Sequence, residues 1–168
     1  RERVEAGDSM ILVTGAGGKT GRALVRALAT RGASVRALVF RPGHVDSLRE
    51  LGARETVVAD LLDEGSVQEA ARGAWRIYHI CPNMHPDEVA IGRVVIDAAR
   101  ARGCKHFVYH SVLHPQTEDM PHHWNKLRVE ELLLRSGLPF TILPPAAYLQ
   151  NLLASWPAIV ERGVYAVP

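Results

Sequence analysis

Cysteine is scarce in this sequence, with only Cys81 and Cys104 among 168 residues. Two cysteines cannot build a disulfide framework, so a reducing cytoplasm is the location that we expect. No apolar run approaches the roughly 18 residues that would cross a bilayer, and no basic-then-apolar leader of the secretory kind is present. Lysine and arginine form no run, and a net charge of +2 predicts no nucleic-acid partner.

The length and composition are those of one globular domain. Hydrophobic residues make up 47% and charged residues 23% of the 168 residues, which is sufficient apolar material for one sizeable core. Residues 1–9 are polar and precede Met10. We interpret them as an extension or an expression remnant, and we expect the folded domain to begin at Met10.

Glycines dominate the first predicted turn of the chain. The apolar run Met10–Val13 predicts a strand, the spacing Gly15-x-x-Gly18-x-x-Gly21 follows it, and an amphipathic pattern then predicts a helix. A helix N-terminus beside bare backbone attracts a phosphate through its free N–H groups and its dipole. We expect Gly15 to permit the turn, Gly18 to admit a pyrophosphate and Gly21 to let the helix lie close to the strand. The loop also contains Gly17, Lys19 and Thr20. A glycine turn without a ligand is the alternative.

Strand-like and helix-like segments alternate along the rest of the chain. This alternation predicts βαβ units, and hence a mostly parallel sheet with helices on both faces. Right-handed crossovers favour an α/β fold of the Rossmann type, a doubly wound sheet of six strands in the order 3-2-1-4-5-6. The predicted strands are 10–13, 34–40, 55–60, 75–80, 105–110 and 138–143, and the helices after the first are about 44–51, 64–71, 87–102 and 122–136.

In such a sheet, a ligand lies beyond the carboxyl ends of the strands, where the strand order reverses. The segments selected by this rule are Thr14 to Gly21, Phe40-Arg41, Asp60-Leu61, Cys81-Pro82 and Ser111. We expect Cys81 and Pro82 to line the groove. Because no basic residue is adjacent to Cys81, we interpret its thiol as packing and not as a nucleophile.

The end of the second predicted strand carries no acidic residue. Sites that prefer NAD use a carboxylate there for the ribose 2′-hydroxyl, whereas Arg41 can pair with a 2′-phosphate. We therefore favour NADP(H) over NAD(H), although a solvated loop arginine is the alternative. Asp60 could accept a hydrogen bond from an adenine amino group, or it could cap the following helix.

Several motifs in order carry a resemblance to a known family. They are Gly15-Ala-Gly-Gly18-Lys-Thr-Gly21, Val35 to Val39, Asp60-Leu61, Val95 to Arg100, Phe107 to Ser111, Lys126 to Glu130, Gly137 to Leu143 and Tyr148-Leu-Gln-Asn151. From Met10 to Pro168 the chain resembles the NmrA-like family of the atypical short-chain dehydrogenase/reductase superfamily. The resemblance implies a Rossmann fold that binds NADP(H), with adenine near Asp60 and Leu61 and the nicotinamide near Lys126, Pro145 and Tyr148. It also implies that residues 10–155 form the dinucleotide-binding domain and that a substrate lobe begins within 156–168.

The resemblance has a gap where the superfamily has its catalytic Tyr-x-x-x-Lys. Lys126 matches the lysine and Ser111 lies close to the serine position, but His122 stands four residues before Lys126. On a helix both could face one groove, and a histidine could act as a general acid near neutral pH. The alternative is that His122 and His123 simply begin the helix.

Three hypotheses for the function remain after these observations. The first is an NAD(P)H-dependent reductase of a small carbonyl or quinone, working by hydride transfer. The second is a non-catalytic NADP(H)-sensing regulator that binds a protein partner, and the third and weakest is a scaffold whose glycine loop is a relic. His106, His110 and His114 are spaced by four, but they fall on a strand and a loop and lack a complete zinc set, so no metal is expected.

Overall fold

The computed structural model describes residues 10–117 and 119–165. The strands are β1 Met10–Val13, β2 Val35–Val39, β3 Glu55–Val58, β4 Ala74–His79, β5 His106–His110 and β6 Phe140–Leu143. The helices are α1 Lys19–Thr30, α2 Val45–Glu50, α3 Glu64–Ala70, α4 Glu88–Ala101, α5 Pro121–Leu134 and α6 Leu152–Arg162. Two short 3₁₀ turns, Pro42–His44 and Leu149–Asn151, precede α2 and α6. Residues 1–9 lie outside the described part, so the interpretation of that segment stays a prediction.

The six strands form one parallel sheet in the order β3-β2-β1-β4-β5-β6. The predicted Rossmann-type order is therefore confirmed. All six carboxyl ends meet at the same edge of the sheet, and the order reverses between β1 and β4, which are direct neighbours. This edge is the place where a ligand is expected in such folds.

The core lies on both faces of the sheet because neighbouring strand residues point in opposite directions. Leu12 packs into the cluster that α3, α4 and α5 cover, whereas Val13 packs into the cluster under α1 and α2. Both side chains are fully buried. The apolar run of β1 is thus explained by burial on two sides, and this fixes the position of the loop that follows it.

The predicted boundaries differ from the structure by no more than two residues, and the structure adds two features. The predicted second helix begins with a 3₁₀ turn, because Pro42 sets the backbone there before α2 starts at Val45. The helix α6 was not predicted from the sequence, because Pro157 within it disfavours a helix. It runs across the predicted boundary between residues 155 and 156.

An apolar stripe on the last part of the chain remains exposed. The side chains of Leu149, Leu153, Trp156 and Val160 recur at helical spacing, and each is more than half exposed. We name these four residues the α6 stripe. Within the described residues, no helix combines the length and the apolarity that crossing a membrane would require.

Candidate dinucleotide site

The loop between β1 and α1 is shaped by its glycines. Gly15 has a φ of +61°, a conformation that L side chains rarely adopt, and a Cβ there would lie 2.5 Å from the Ile80 carbonyl oxygen. At Gly21 a Cβ would lie 2.3 Å from the Gly15 carbonyl oxygen. The backbone N–H of Ala16 also donates to the Leu38 carbonyl at 3.1 Å. Gly15 and Gly21 are therefore required by packing, as the sequence predicts.

The remaining two glycines differ in what they face. A Cβ on Gly17 would meet the ring of His44 at 2.9 Å, so His44 packs over the loop. A Cβ on Gly18 would have only ordinary contact, 3.5 Å from the Gly15 carbonyl oxygen. Because packing does not demand a glycine at position 18, its missing side chain keeps one face of the loop open.

The helix α1 begins directly behind this open face. Its N-cap residue is Gly18, which offers no side-chain cap, and its first turn contains no acidic residue. The first N–H groups of an α-helix have no partners within the helix, and they form the positive end of its dipole. Bare backbone, free N–H donors and the exposed side chain of Lys19 together fit a diphosphate.

The ends of β2 and β3 border the groove with an exposed arginine and an exposed aspartate. Arg41 is the second residue after β2, whereas Arg36 forms an ion pair of 2.6 Å with Glu55 instead. Asp60 accepts from the backbone N–H of Leu62 at 2.9 Å. The alternative role of Asp60 as the cap of α3 is wrong, because Asp63 holds that place and accepts from the N–H groups of residues 65 and 66.

Two predicted groove residues have side chains in the core instead of the groove. Leu61 and Cys81 are 7% and 5% exposed and belong to the cluster beneath α3 and α4. Only their backbones remain to face a ligand, while Pro82 is exposed. Burial, together with the charge of Glu88, raises the pKa of the Cys81 thiol, which makes this cysteine a poor nucleophile.

Lys126, the predicted catalytic lysine, is held by a buried carboxylate. Its Nζ donates to Glu88 Oε1 at 2.7 Å, and the hydroxyl of Tyr109 donates to the same oxygen at 2.9 Å. The Nζ also lies 3.5 Å from the His110 carbonyl oxygen. The Glu88 side chain is fully buried, and its Oε2 has no hydrogen-bond partner in the described part of the chain. Sequence reasoning missed Glu88, since a glutamate in the first turn of a helix is ordinarily a surface residue.

The other two predicted catalytic residues have separate partners. Ser111 donates its hydroxyl proton to Glu130 Oε1. The ring of His122 meets that of His123 edge-on, with centroids 4.6 Å apart. Partial desolvation, followed by the charges of His123 and Lys126, lowers the pKa of His122. The three residues thus lie around the end of β5 but are not joined to one another by hydrogen bonds.

An open cavity lies beside His122, between the β4–α4 loop and the start of α5. It has a volume of about 210 Å³ and is lined by Met84, His85, Pro86, Pro121, His122 and Asn125. The His122 ring therefore borders a space that a small molecule can reach. No group of three or more histidine, cysteine, aspartate or glutamate side chains with metal-binding geometry occurs in the ranges 10–117 and 119–165.

A second polar cluster lies behind the groove, around His79 at the end of β4. Its Nδ1 is hydrogen-bonded with the Thr14 hydroxyl at 2.8 Å, and its ring stacks on Tyr109 with centroids 5.7 Å apart. Its Nε2 is buried without a partner among the described residues. Complete burial, with a smaller contribution from the charge of Lys126, lowers the pKa of His79 to about 3.

Tyr148, predicted to lie on the nicotinamide side, contacts the glycine loop. Its hydroxyl accepts from Thr20 Oγ1 at 3.3 Å and is hydrogen-bonded with His110 Nε2 at 2.6 Å. Pro145 lies just before it, and its carbonyl accepts from the Leu113 N–H at 2.9 Å. The segment after β6 is therefore tied both to β5 and to the start of α1.

Comparison with known proteins agrees with this geometry. The sequence matches the NmrA-like family over residues 7–164. It is 31% identical to quinone oxidoreductase 2 of Escherichia coli strain K12 over 93% of this chain and 55% of that protein. It is 32% identical to the NAD(P)H azoreductase of Xenophilus azovorans over 95% of this chain and 55% of that protein.

A solved structure shows the same fold in the presence of a dinucleotide. The crystal structure of an NADPH-dependent quinone oxidoreductase from Escherichia coli, complexed with NADPH, superposes with a TM-score of 0.80 at 30% identity. The match covers 93% of this chain and 56% of that one. The chain thus spans about half the length of the relatives that it matches.

Proposed function

Because the chain belongs to the NmrA-like family, we propose that it binds NADP(H) and reduces a small carbonyl or quinone by hydride transfer. The glycine loop carries this proposal, since its open face at Gly18 stands before the N-terminus of α1. The relatives named as quinone oxidoreductase and azoreductase support the reaction class. We also propose a cytoplasmic location, in which the two buried free cysteines stay reduced.

The proposed binding mode distributes the dinucleotide along the carboxyl edge of the sheet. The backbone of residues 15–21, with Lys19 and Thr20, would hold the diphosphate, and Asp60 with the Leu61 backbone would hold the adenine. The nicotinamide half would lie among Cys81, Pro82, Lys126 and Pro145, with Tyr148 at its boundary with the diphosphate, where the phenol contacts Thr20. When bound, the dinucleotide supplies the hydride.

Lys126, Ser111 and His122 are the residues that we propose to handle the substrate oxygen and its proton. Lys126 has three N–H donors, and Glu88 takes only one of them at 2.7 Å. His122 borders the open cavity beside α5, and because its pKa is lowered the ring is mostly neutral at pH 7, so a role as proton donor predicts activity that rises as the pH falls. A His122→Phe variant tests this role, because it removes the titrating group and retains an aromatic ring.

Three observations favour the second candidate function, a regulator that senses NADP(H) without turnover. The positive charge of Lys126 is paired with Glu88, and the Ser111 hydroxyl donates its hydrogen bond to Glu130. Position 122 carries a histidine where the superfamily has its catalytic tyrosine. Such a protein would present its redox-dependent surface to a protein partner. Its NADPH and NADP⁺ complexes would then differ in affinity while no substrate is consumed.

Absorbance of NADPH, followed against a panel of quinones and aldehydes, separates the two candidates. The reductase predicts consumption that depends on the acceptor, and the double variant Glu88→Gln/Lys126→Met, which leaves no unpaired buried charge, should lose most of it. The sensor predicts no consumption with any acceptor, together with unequal affinities for NADPH and NADP⁺. Failure of the chain to bind either form would contradict both.

Arg41 is proposed to select NADP(H) through the 2′-phosphate of the adenosine ribose. Its side chain is exposed two residues after β2, near the place where an acidic residue would select NAD. We expect Arg41→Ala to weaken NADP⁺ binding by about tenfold, the value of one exposed charge-assisted hydrogen bond, and to leave NAD⁺ binding nearly unchanged. Isothermal titration with both dinucleotides measures this selectivity.

Arg31 provides a matched control for that measurement. It is an exposed arginine at the C-terminal end of α1, the end away from the glycine loop, and its guanidinium donates to the Ala27 carbonyl at 3.0 Å. Arg31→Ala should leave both affinities unchanged. Equal losses for NADP⁺ and NAD⁺ in Arg41→Ala would contradict the proposed selectivity.

The α6 stripe supports the further proposal that a substrate lobe begins within residues 156–168. The four apolar side chains of the stripe are each more than half exposed, and such a patch typically marks a surface that another part of a protein covers. The matched region covers 55% of each of these two relatives, so nearly half of each lies outside it. A substrate lobe in a protein of that length would have this surface to pack against.

A further inference from the structure

A row of hydrogen bonds crosses the carboxyl edge of the sheet from β4 to α1. The Tyr78 hydroxyl is hydrogen-bonded with His110 Nδ1 at 3.0 Å, and His110 Nε2 is hydrogen-bonded with the Tyr148 hydroxyl at 2.6 Å. Thr20 Oγ1 donates to the same phenol oxygen at 3.3 Å. His110 is therefore the central residue of the row, and it belongs to none of the groups assigned above.

The protonation of the row can be worked out from its surroundings. Burial, followed by the nearby charge of Lys126, lowers the pKa of His110, so its ring is neutral at pH 7 and carries one N–H. Burial also raises the pKa of Tyr78, which therefore remains a phenol and can donate. We assign the single ring proton to Nε2, so that Tyr78 donates to Nδ1 and Nε2–H donates to Tyr148; the other tautomer would reverse both hydrogen bonds.

In this arrangement the hydroxyl proton of Tyr148 has no acceptor among the residues of the row. The Tyr148 oxygen then accepts from both His110 and Thr20, so its own O–H is free to point into the groove. Thr20 lies in the first turn of α1, beside the open face at Gly18. The free phenol proton is thus presented where an anion is most favoured.

We propose that His110 is a positioning residue for dinucleotide binding, which holds the Tyr148 phenol so that its proton is donated to the diphosphate. This inference rests on the proposed function and adds His110 and Tyr78 to the site. Tyr148 is 41% exposed and lies in an irregular segment, so the bond to His110 restrains a side chain that would otherwise be mobile.

The proposal is tested by a double-mutant cycle, with NADPH affinity measured by isothermal titration. Tyr148→Phe should weaken binding about tenfold, because it removes one hydrogen bond to a charged group. His110→Ala should weaken binding about fivefold, since the phenol remains but is no longer oriented. The double variant should bind no more weakly than Tyr148→Phe, within about twofold, because the two residues act as one unit.

His106 supplies the matched control within the same strand. It lies on the same face of β5 as His110, and its Nε2 is hydrogen-bonded with Thr141 Oγ1 at 2.9 Å, away from the groove. His106→Ala should leave NADPH affinity within about twofold of the parent. The amide of His110→Gln can still donate to the phenol, so the NADPH affinity of this variant should be closer to that of the parent than the affinity of His110→Ala is.

If the loss of NADPH affinity in the double variant equals the product of the two single losses, or if His110→Ala loses no affinity, the positioning role is overturned while the proposed function stays intact. A parent protein that does not bind NADPH would instead overturn the proposed function. In that case nitrogen NMR of the ligand-free protein decides the inference. A ring proton on Nε2 of His110 that responds to Tyr148→Phe supports it, and a proton on Nδ1 overturns it.

Discussion

Replacing Lys126 by methionine is expected to lower the free energy of unfolding by about 3–5 kcal/mol. The reason lies in its partner, because the Glu88 side chain is 0% exposed and its Oε1 is bound by the Lys126 Nζ at 2.7 Å. Without the lysine, a carboxylate remains buried with only the Tyr109 hydroxyl as a donor to it. Urea denaturation of the parent and the variant at neutral pH measures the difference.

Two further variants identify the buried charge as the cause. Glu88→Gln combined with Lys126→Met should recover most of the lost stability, because the amide is neutral and can still accept from Tyr109. Lys105→Met is the matched control, since Lys105 is exposed and its Nζ lies over the face of Trp75, 5.8 Å from the ring centroid. We expect it to change stability by less than about 1 kcal/mol. A Lys126→Met variant as stable as the Lys105 control would contradict this account of the pair.

Stability is expected to fall steeply in acid because of His79. The pKa of this ring is lowered from 6.5 in the unfolded chain to about 3 in the fold. Below pH 6.5 the His79 ring therefore binds a proton in the unfolded state but not in the folded state, and the free energy of unfolding decreases as the pH falls. The loss develops from pH 6.5 down to about 3, at about 1.4 kcal/mol per pH unit.

The variant His79→Asn isolates this contribution from that of the carboxylates. Asparagine does not titrate, and its amide can occupy the place of Nδ1 beside the Thr14 hydroxyl. Between about pH 7 and pH 4.5 the parent should lose about 3 kcal/mol more than the variant. The comparison uses this change with pH, since the smaller side chain also alters stability at every pH. Parallel stability curves for the two proteins would contradict a neutral, buried His79.

The fold was predictable because its signals are local and mutually consistent. The apolar strands, the helical periodicities between them and the glycine turn at residues 15–21 determine the βαβ units, and crossover handedness then gives the strand order. The helix α6 was not predictable in the same way. Pro157 removes one backbone donor from it, and the exposed α6 stripe shows that burial within the described chain does not explain its pattern.

The shape of the glycine loop was predictable from the sequence, whereas the binding roles of the site residues stay predictions. Gly15 and Gly21 behave as expected, because their roles follow from turn and packing requirements that a sequence records directly. Side-chain partnerships between distant elements are not recorded in this way. Lys126 meets Glu88 across 38 residues and His110 meets Tyr148 across another 38, so neither pair has a local signature.

A weak signal for the missed residues does exist in the strands. The alternation in β5 places Tyr109 toward the core and His110 toward the opposite face, and a buried tyrosine requires an acceptor for its hydroxyl. His79 similarly ends an apolar strand, where a polar ring requires a partner. Such residues identify a polar cluster in advance, but not the carboxylate or hydroxyl that completes it.

Titration of NADPH into the parent and into Gly18→Ala tests most directly whether the open backbone face holds the diphosphate. Position 18 has a φ of −75°, and an added Cβ makes only ordinary contact there, so the variant should fold normally. Gly65→Ala, which adds a methyl group in the first turn of α3, is the control. The account predicts that Gly18→Ala binds NADPH about tenfold or more weakly while its melting temperature and the affinity of Gly65→Ala stay near those of the parent. Equal NADPH affinity in Gly18→Ala and the parent would contradict it.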